Sequence, residues 1–236
     1  MPKPVSEQQF LDLYNVISTE VENAFVLYYQ FEELNRLWTD DRAIFEAIHR
    51  HIQFWLAYRH SIQASLLITV TRLFDTTDKA KTIPRLVTAV ANNLQLFDEP
   101  SLRRRKANGG NPPWLDDFMK DAWLPTSSGD FRSLQVALKP HTKRINTIYR
   151  PIRNNVLAHR IMDDIEAAHA LFPQTNRKEL GETLIFLRDL KQVIWDLYYN
   201  GKQPILHNLS LDHEIKAIKA GIEAVLRALV QVGDRG

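Results

Sequence analysis

TDDRAIFEAIHRHIQFWLAYRHSIQASLLITVTRLFD, residues 39–75, decides the fold. Thr39-Asp40-Asp41 offers side-chain oxygens that can cap the free amides of a first helical turn. Ile44, Ile48, Ile52, Trp55, Ile62, Leu66, Val70 and Leu73 then recur at three-, four- and seven-residue steps. That period places them on one face of an amphipathic helix of about nine turns. Asp75-Thr76-Thr77-Asp78 reads as its stop.

Upstream, Ser6 and Gln9 form a capping box. Phe10, Leu13, Ile17, Val21, Ala24, Tyr28 and Phe31 follow in helical step and predict an N-terminal helix over 6–37. Two long helices joined by a short linker imply an antiparallel hairpin. Downstream, Thr82 with Pro84 opens a shorter helix reaching about Asn92. From 94 to 130 the reading is an irregular basic insertion. In it, Ser101 to Pro113, which contains Arg103-Arg104-Arg105-Lys106, is an exposed loop, and Trp114–Trp123 is a short helix.

The helical period resumes from Asp130, with Ile145, Ile148, Ile152 and Val156 in one stripe and bends or restarts expected at Pro140 and Pro151. A short helix over Met162–Leu171 ends before Pro173. A longer one is capped by Thr175, carries Leu180, Leu184, Leu187, Ile194 and Tyr198, and stops at Asn200-Gly201. Ser210 or Asp212 opens a last helix over 210–232 with Ile215, Ile218, Ile222, Val225 and Leu229 inward. No period-2 run of strand length and no internal repeat interrupts this pattern. The expected fold is all-α, one domain over 1–236, an up-and-down bundle of long antiparallel helices with an irregular inserted loop region.

Composition narrows the function. The 236 residues are 44% hydrophobic and 25% charged, as in globular domains, with a formal net charge of +2. So small a charge does not indicate nucleic acid, and such a partner must be argued from local clusters. Absence of cysteine removes disulfides, thiolate nucleophiles and Cys-based zinc sites. The N-terminus lacks an apolar signal core and no run is apolar enough to span a bilayer, so a cytoplasmic protein with no membrane contact is expected.

Polar chemistry concentrates in Tyr149-Arg150-Pro151-Ile152-Arg153-Asn154-Asn155-Val156-Leu157-Ala158-His159-Arg160. On a straight helix Arg153 and His159 stand about 120° apart around the axis and roughly 9 Å along it. They meet only if the helix starts or bends near Arg153, or if a second copy faces the first across a two-fold axis. Asn155 shares a face with His159, and Arg160 with Arg153. A neutral imidazole can take a proton from a ribose 2′-OH or return one to a leaving 5′-oxygen, while guanidinium stabilises charge on phosphoryl oxygens. Spacing alone carries little: Arg42 and His49 are another Arg and His with a handful of residues between them, on a helix that reads as structural.

Arg153-Asn154-Asn155-Val156-Leu157-Ala158-His159-Arg160 resembles the signature of the HEPN superfamily, all-α domains whose ribonuclease members carry an Arg, a following polar residue and a His four to six positions beyond the Arg. Ile68-Thr69-Val70-Thr71-Arg72-Leu73-Phe74-Asp75 is similar to a second element of the branch associated with abortive phage infection. The resemblance covers the second helix through the helix ending near Tyr199. It implies a homodimeric, metal-independent endoribonuclease, without cofactor, acting on RNA as a toxin or antiviral effector, with both motif copies at the interface. It carries catalytic roles to Arg153, Asn154 and His159. Arg72 and Asp75 are secondary candidates, as are Asn155 and Arg160. A cognate antitoxin is a further implied partner, but the tyrosine that receives AMP in one toxin group is replaced here by Ile161.

Each feature has a competing reading. Arg72 and Asp75, three apart, can form an ordinary helix-end ion pair. Some HEPN domains are binding or assembly modules without nuclease activity. Glu46-x-x-His49 and Glu166-x-x-His169 have the spacing of di-metal carboxylate bundles, with Glu20, Glu22, Glu179 and Glu182 as further carboxylates. Arg103, Arg104, Arg105 and Lys106 can contact RNA phosphates or form a solvated run. Tyr28-Tyr29 and Tyr198-Tyr199 can stack bases, although their spacing suits packing.

Overall fold

A computed structural model describes residues 5–75, 77, 80–154 and 175–233, and among these every regular element is helical. The helices are α1 Glu7–Asp40, α2 Arg42–Arg50, α3 Ile52–Leu73, α4 Ile83–Asn92, α5 Glu99–Ala107, α6 Leu115–Asp121, α7 Arg132–Arg144, α8 Arg177–Asn200 and α9 Asp212–Gly233. The all-α reading holds. Among the described residues no helix is long and apolar enough to cross a membrane. The chain divides into two compact units: residues 1–21, 72–146 and 185–209 form one, and 22–71, 147–184 and 210–236 the other.

In the first unit the capping box forms as read, Ser6 Oγ accepting from Gln9 N at 3.2 Å and Gln9 Oε1 from Ser6 N at 2.9 Å. Phe10 meets Phe97 edge-on at 5.7 Å and Tyr198 at 5.1 Å, and these rings with Phe131 fill the centre. The region expected to be an irregular insertion is largely helical. Asp98 accepts from Ser101 N at 2.9 Å and starts α5, in which Arg103 to Lys106 lie, and Asn108 in the left-handed conformation ends it. The run is therefore a helix. Arg and Lys are good helix formers, and the Asn-Gly breaker is the helix stop rather than the middle of a loop.

Gly201, at φ +57°, takes α8 into its exit. A Cβ there would lie 2.6 Å from Leu102 Cδ2. That conformation and that contact both require glycine.

In the second unit Leu34, Leu37, Ile44, Ile48, Trp55, Ile222 and Leu226 make one buried cluster. Asp41 caps α2, accepting from Ala43 N at 3.0 Å and Ile44 N at 3.1 Å, and pairs with Arg227 at 2.7 Å. The helix predicted to run unbroken from this cap divides at His51 into α2 and α3. The apolar stripe keeps step across the division, with Ile44, Ile48, Trp55 and Ile62 all buried, so periodicity could not reveal it. Gly181 lets Tyr28 approach α8, since a Cβ there would lie 2.8 Å from the phenol oxygen, which donates to Arg177 O at 2.7 Å. Asn176, not Thr175, caps α8, accepting from Glu179 N at 3.3 Å.

The inward face of α9 also differs from expectation. Ile222 and Leu226 are buried, whereas Val225 is 55% exposed. A four-residue step from Ile222 stays on its face, and the three-residue step to Val225 turns outward here. Leu226→Ala is expected to cost about 3 kcal/mol through the cavity it leaves, and Val225→Ala about 0.5 kcal/mol or less. Urea unfolding of both variants checks this, and equal losses would contradict the inward face of α9.

Candidate functional site

The segment carrying Arg153 begins as α7, 13 residues with Pro140 in its interior. It widens to a π-turn over Ile145–Tyr149 and continues as an α-turn over Arg150–Ile152. Proline lacks an amide hydrogen and its ring crowds the carbonyl four residues back. A π-turn just before Pro151 moves those carbonyls outward, so the helix passes through Pro151 without a restart. Arg153 and Asn154 extend the same helix, again with π geometry, so no fresh helix start precedes Arg153.

Ile152, fully buried, anchors this end. Arg153 is half-buried, and its Nε donates to Thr71 Oγ1 at 3.3 Å. Thr71 is itself inaccessible to solvent, and its hydroxyl donates to Leu67 O at 2.7 Å and to Ile68 O at 3.1 Å. The hydroxyl proton is thereby directed into α3, and the oxygen lone pairs are left to receive the guanidinium. One residue from each stretch singled out in the sequence, 149–160 and 68–75, meets at this hydrogen bond. Sequence reasoning gave Thr71 no role. Its one signal is a hydroxyl inside an otherwise apolar stripe.

The other candidates separate. Asn154 is half-buried at the same helix end. Among the described residues the partner of Arg72 is Glu20, through Nε at 3.1 Å, and not Asp75. Asp75 instead accepts from Thr77 N at 3.1 Å and Thr77 Oγ1 at 2.9 Å, closing the turn that ends α3. The expected pair fails because α3 stops at Leu73, so Asp75 no longer lies on a helix face with Arg72. Asn155, His159 and Arg160 lie outside the described residues, as do Glu166 and His169. Glu46 pairs with Arg42 at 2.5 Å, and His49 stacks on Phe45 at 3.8 Å. Among the described residues no three His, Asp or Glu side chains converge as metal ligands. His141 lies flat on Phe186 at 4.1 Å, and burial, then the nearby Arg144, pushes its pKa down to about 4, so it is neutral at pH 7.

The basic run is engaged within its own unit. Arg103 pairs with Asp116 at 2.6 Å, and Arg104 and Arg105 both reach Glu7 at 3.1 Å. Arg105 also donates to Tyr198 O at 3.1 Å and lies 4.1 Å over the Tyr198 ring. Lys106 binds Asn200 Oδ1 at 2.9 Å, with Tyr199 at 4.1 Å and Phe118 at 5.0 Å around its ammonium. Arg105, with only 8% of its side chain exposed, is part of the packing of its unit. Tyr28, Tyr29 and Tyr198 are buried as well, and are not stacking platforms.

A family model described as AbiU2, of HEPN type, matches residues 9–218. No curated protein matches the chain. No solved structure matches it either.

Glu7 gives the basic run a measurable consequence. Burial pushes its carboxyl up, but hydrogen bonds from Tyr198, Arg105 and Arg104 outweigh that and hold it below the ordinary value. A lowered folded pKa stabilises above the unfolded pKa, about 4.3 for glutamate, and that stability is lost as pH falls through the folded value. Glu7→Gln should therefore cost about 1 kcal/mol at pH 7, discounted for partial exposure. The deficit should fade below about pH 4. Thermal melts of both proteins across pH would show it, and a pH-independent deficit would contradict the charged network.

Proposed function

The chain belongs to the AbiU2 family of HEPN proteins, an abortive-infection-associated family, and on that premise we propose that it is an RNA-cleaving effector using Arg153, Asn154 and His159. The observation that carries the reading is the hydrogen bond from Arg153 to the buried Thr71 hydroxyl. A guanidinium held through Nε keeps its two terminal nitrogens for a phosphate, which it can grip with two parallel N–H···O contacts.

The chemistry follows from the groups present. The ribose 2′-oxygen attacks phosphorus, the bond from phosphorus to the 5′-oxygen breaks, and the products are a 2′,3′-cyclic phosphate and a 5′-hydroxyl. His159 moves a proton at the 2′-oxygen or the 5′-oxygen, Arg153 stabilises charge on the non-bridging oxygens, and Asn154 orients one of the two. No metal is needed for this step.

On a straight α-helix Arg153 and His159 of one chain would stand about 120° apart. A two-fold dimer with both motifs in a shared groove removes that difficulty, and the composite site is part of the proposal. Control by a partner antitoxin also belongs to it. With Ile161 two positions after His159, AMP transfer to tyrosine at that place is not the route.

The test is cleavage of single-stranded and structured RNA by purified protein in EDTA. Activity should fall by about 10³-fold or more in His159→Ala and in Arg153→Ala and persist in Glu46→Ala. Thr71→Val, which removes the acceptor while keeping the shape, should lower kcat about 10-fold with little change in KM, and Thr71→Ser should restore it. Cleavage abolished by EDTA, or no cleavage of any RNA, would overturn the reading in favour of a metal-dependent activity or a binding module. A monomer by sedimentation under active conditions would remove the composite site.

A further inference from the structure

A groove of about 760 Å³ opens in the second unit among α1, α3 and the start of α8. Three cations line it, Arg59, Arg177 and Lys178, and among the described lining residues Glu179 is the one carboxylate. Two of the cations have only distant acidic neighbours: Arg177 Nη1 is 3.5 Å from Glu32, and Lys178 Nζ is 4.0 Å from Glu182. Arg59 lies 5.8 Å from the Trp38 ring centre. All three are exposed. Long pairs of this kind exchange readily for a polyanion, unlike the short pairs around Arg103 to Arg105. Phe31 adds an aromatic wall, and Gln63 adds a side-chain amide with no hydrogen-bond partner among the described residues.

The groove leads toward the candidate site. A narrower pocket of about 70 Å³ shares Phe31, Gln63 and Arg177 with it, and its wall includes Leu67 and Ile152. Ile152 immediately precedes Arg153, and Leu67 lies one turn before Thr71, to which Arg153 is bonded. Along α3, Arg59, Gln63, Leu67 and Thr71 follow at four-residue steps. This row winds by about 120° over about 18 Å, from the exposed Arg59 to the buried Thr71, and joins groove to motif over the reach of several nucleotides.

We propose that this groove is the docking channel for the single-stranded RNA that flanks the phosphodiester held at Arg153. Arg59, Arg177 and Lys178 take successive phosphates, Phe31 stacks a base, and Gln63 hydrogen-bonds a base edge. Cations interleaved with an aromatic face and an unengaged amide are the combination by which proteins hold unpaired nucleotides. The proposal rests on the nuclease reading and names where its substrate runs.

Fluorescence anisotropy of a labelled single-stranded RNA of about a dozen nucleotides tests it, using full-length protein carrying His159→Ala so that the probe survives. Adding Arg59→Gln, Arg177→Gln and Lys178→Gln together should weaken binding at least about 10-fold near 0.1 M salt and reduce the slope of log affinity against log salt by about 2. Gln63→Leu should weaken it about 5-fold with the slope unchanged. Lys216→Gln, on an exposed face of α9, should change nothing, and circular-dichroism melts confirm that each variant folds. Wild-type affinity and slope in the triple variant would overturn the channel, as would failure of the parent protein to bind RNA. Displacement of the RNA by polyglutamate at equal charge would reassign the groove to an acidic protein segment. If active protein cleaves RNA and the groove substitutions leave KM unchanged, the channel fails and the nuclease stands. If nothing is cleaved but the groove variants lose RNA, the reverse holds.

Discussion

A hydroxyl buried in a helical core needs partners on all sides, and Thr71 has found them. Its proton goes to the carbonyls of Leu67 and Ile68, and its lone pairs face the Arg153 guanidinium. Leaving either the hydroxyl oxygen or the arginine Nε unpaired would cost about 1–3 kcal/mol. The contact therefore fixes the approach of the Arg153 helix end to α3. Ile152, fully buried beside it, supplies the apolar half of the same constraint. The pairing immobilises the guanidinium through Nε and leaves its outer edge available.

The remaining charged groups behave differently. Short ion pairs gather where helices must be tied together, as Arg104 and Arg105 are to Glu7 and Arg227 is to Asp41. Around the second-unit groove the pairs are looser, Arg177 to Glu32 at 3.5 Å and Lys178 to Glu182 at 4.0 Å. A chain with a formal net charge of +2 can thus present a locally basic surface, because placement of its carboxylates, and not their number, decides where positive potential survives.

Apolar periodicity made most of the architecture legible. The stripes of α1, α3 and α8 appear in the core, with Phe31 and Ile52 only half-buried, since burial of every third or fourth residue leaves a record that any helical packing must honour. What was not legible depended on features without a periodic trace. The division at His51 interrupts the backbone and not the stripe. Val225 and Leu226 are both apolar, and only the path of α9 chooses between them. The run from Arg103 to Lys106 looks solvated in sequence because its partners, Glu7 and Tyr198, lie far away along the chain. Thr71 was hidden for the same reason: its acceptor role exists only once residue 153 arrives.

The π-turn at Ile145–Tyr149 bears on how the helix reaches Arg153 at all. A wide turn behaves as one residue inserted into an α-helix and absorbed there, so the turns on either side keep their phase. Without the extra residue the segment would close to plain α-helix, and the ring of Pro151 would crowd the carbonyl of Thr147. Ile145 and Tyr149 are buried and Tyr149 donates to Asn176 O at 3.2 Å, so side chains hold the widening in place. One surplus residue is thus the toll by which a proline-bearing helix stays whole.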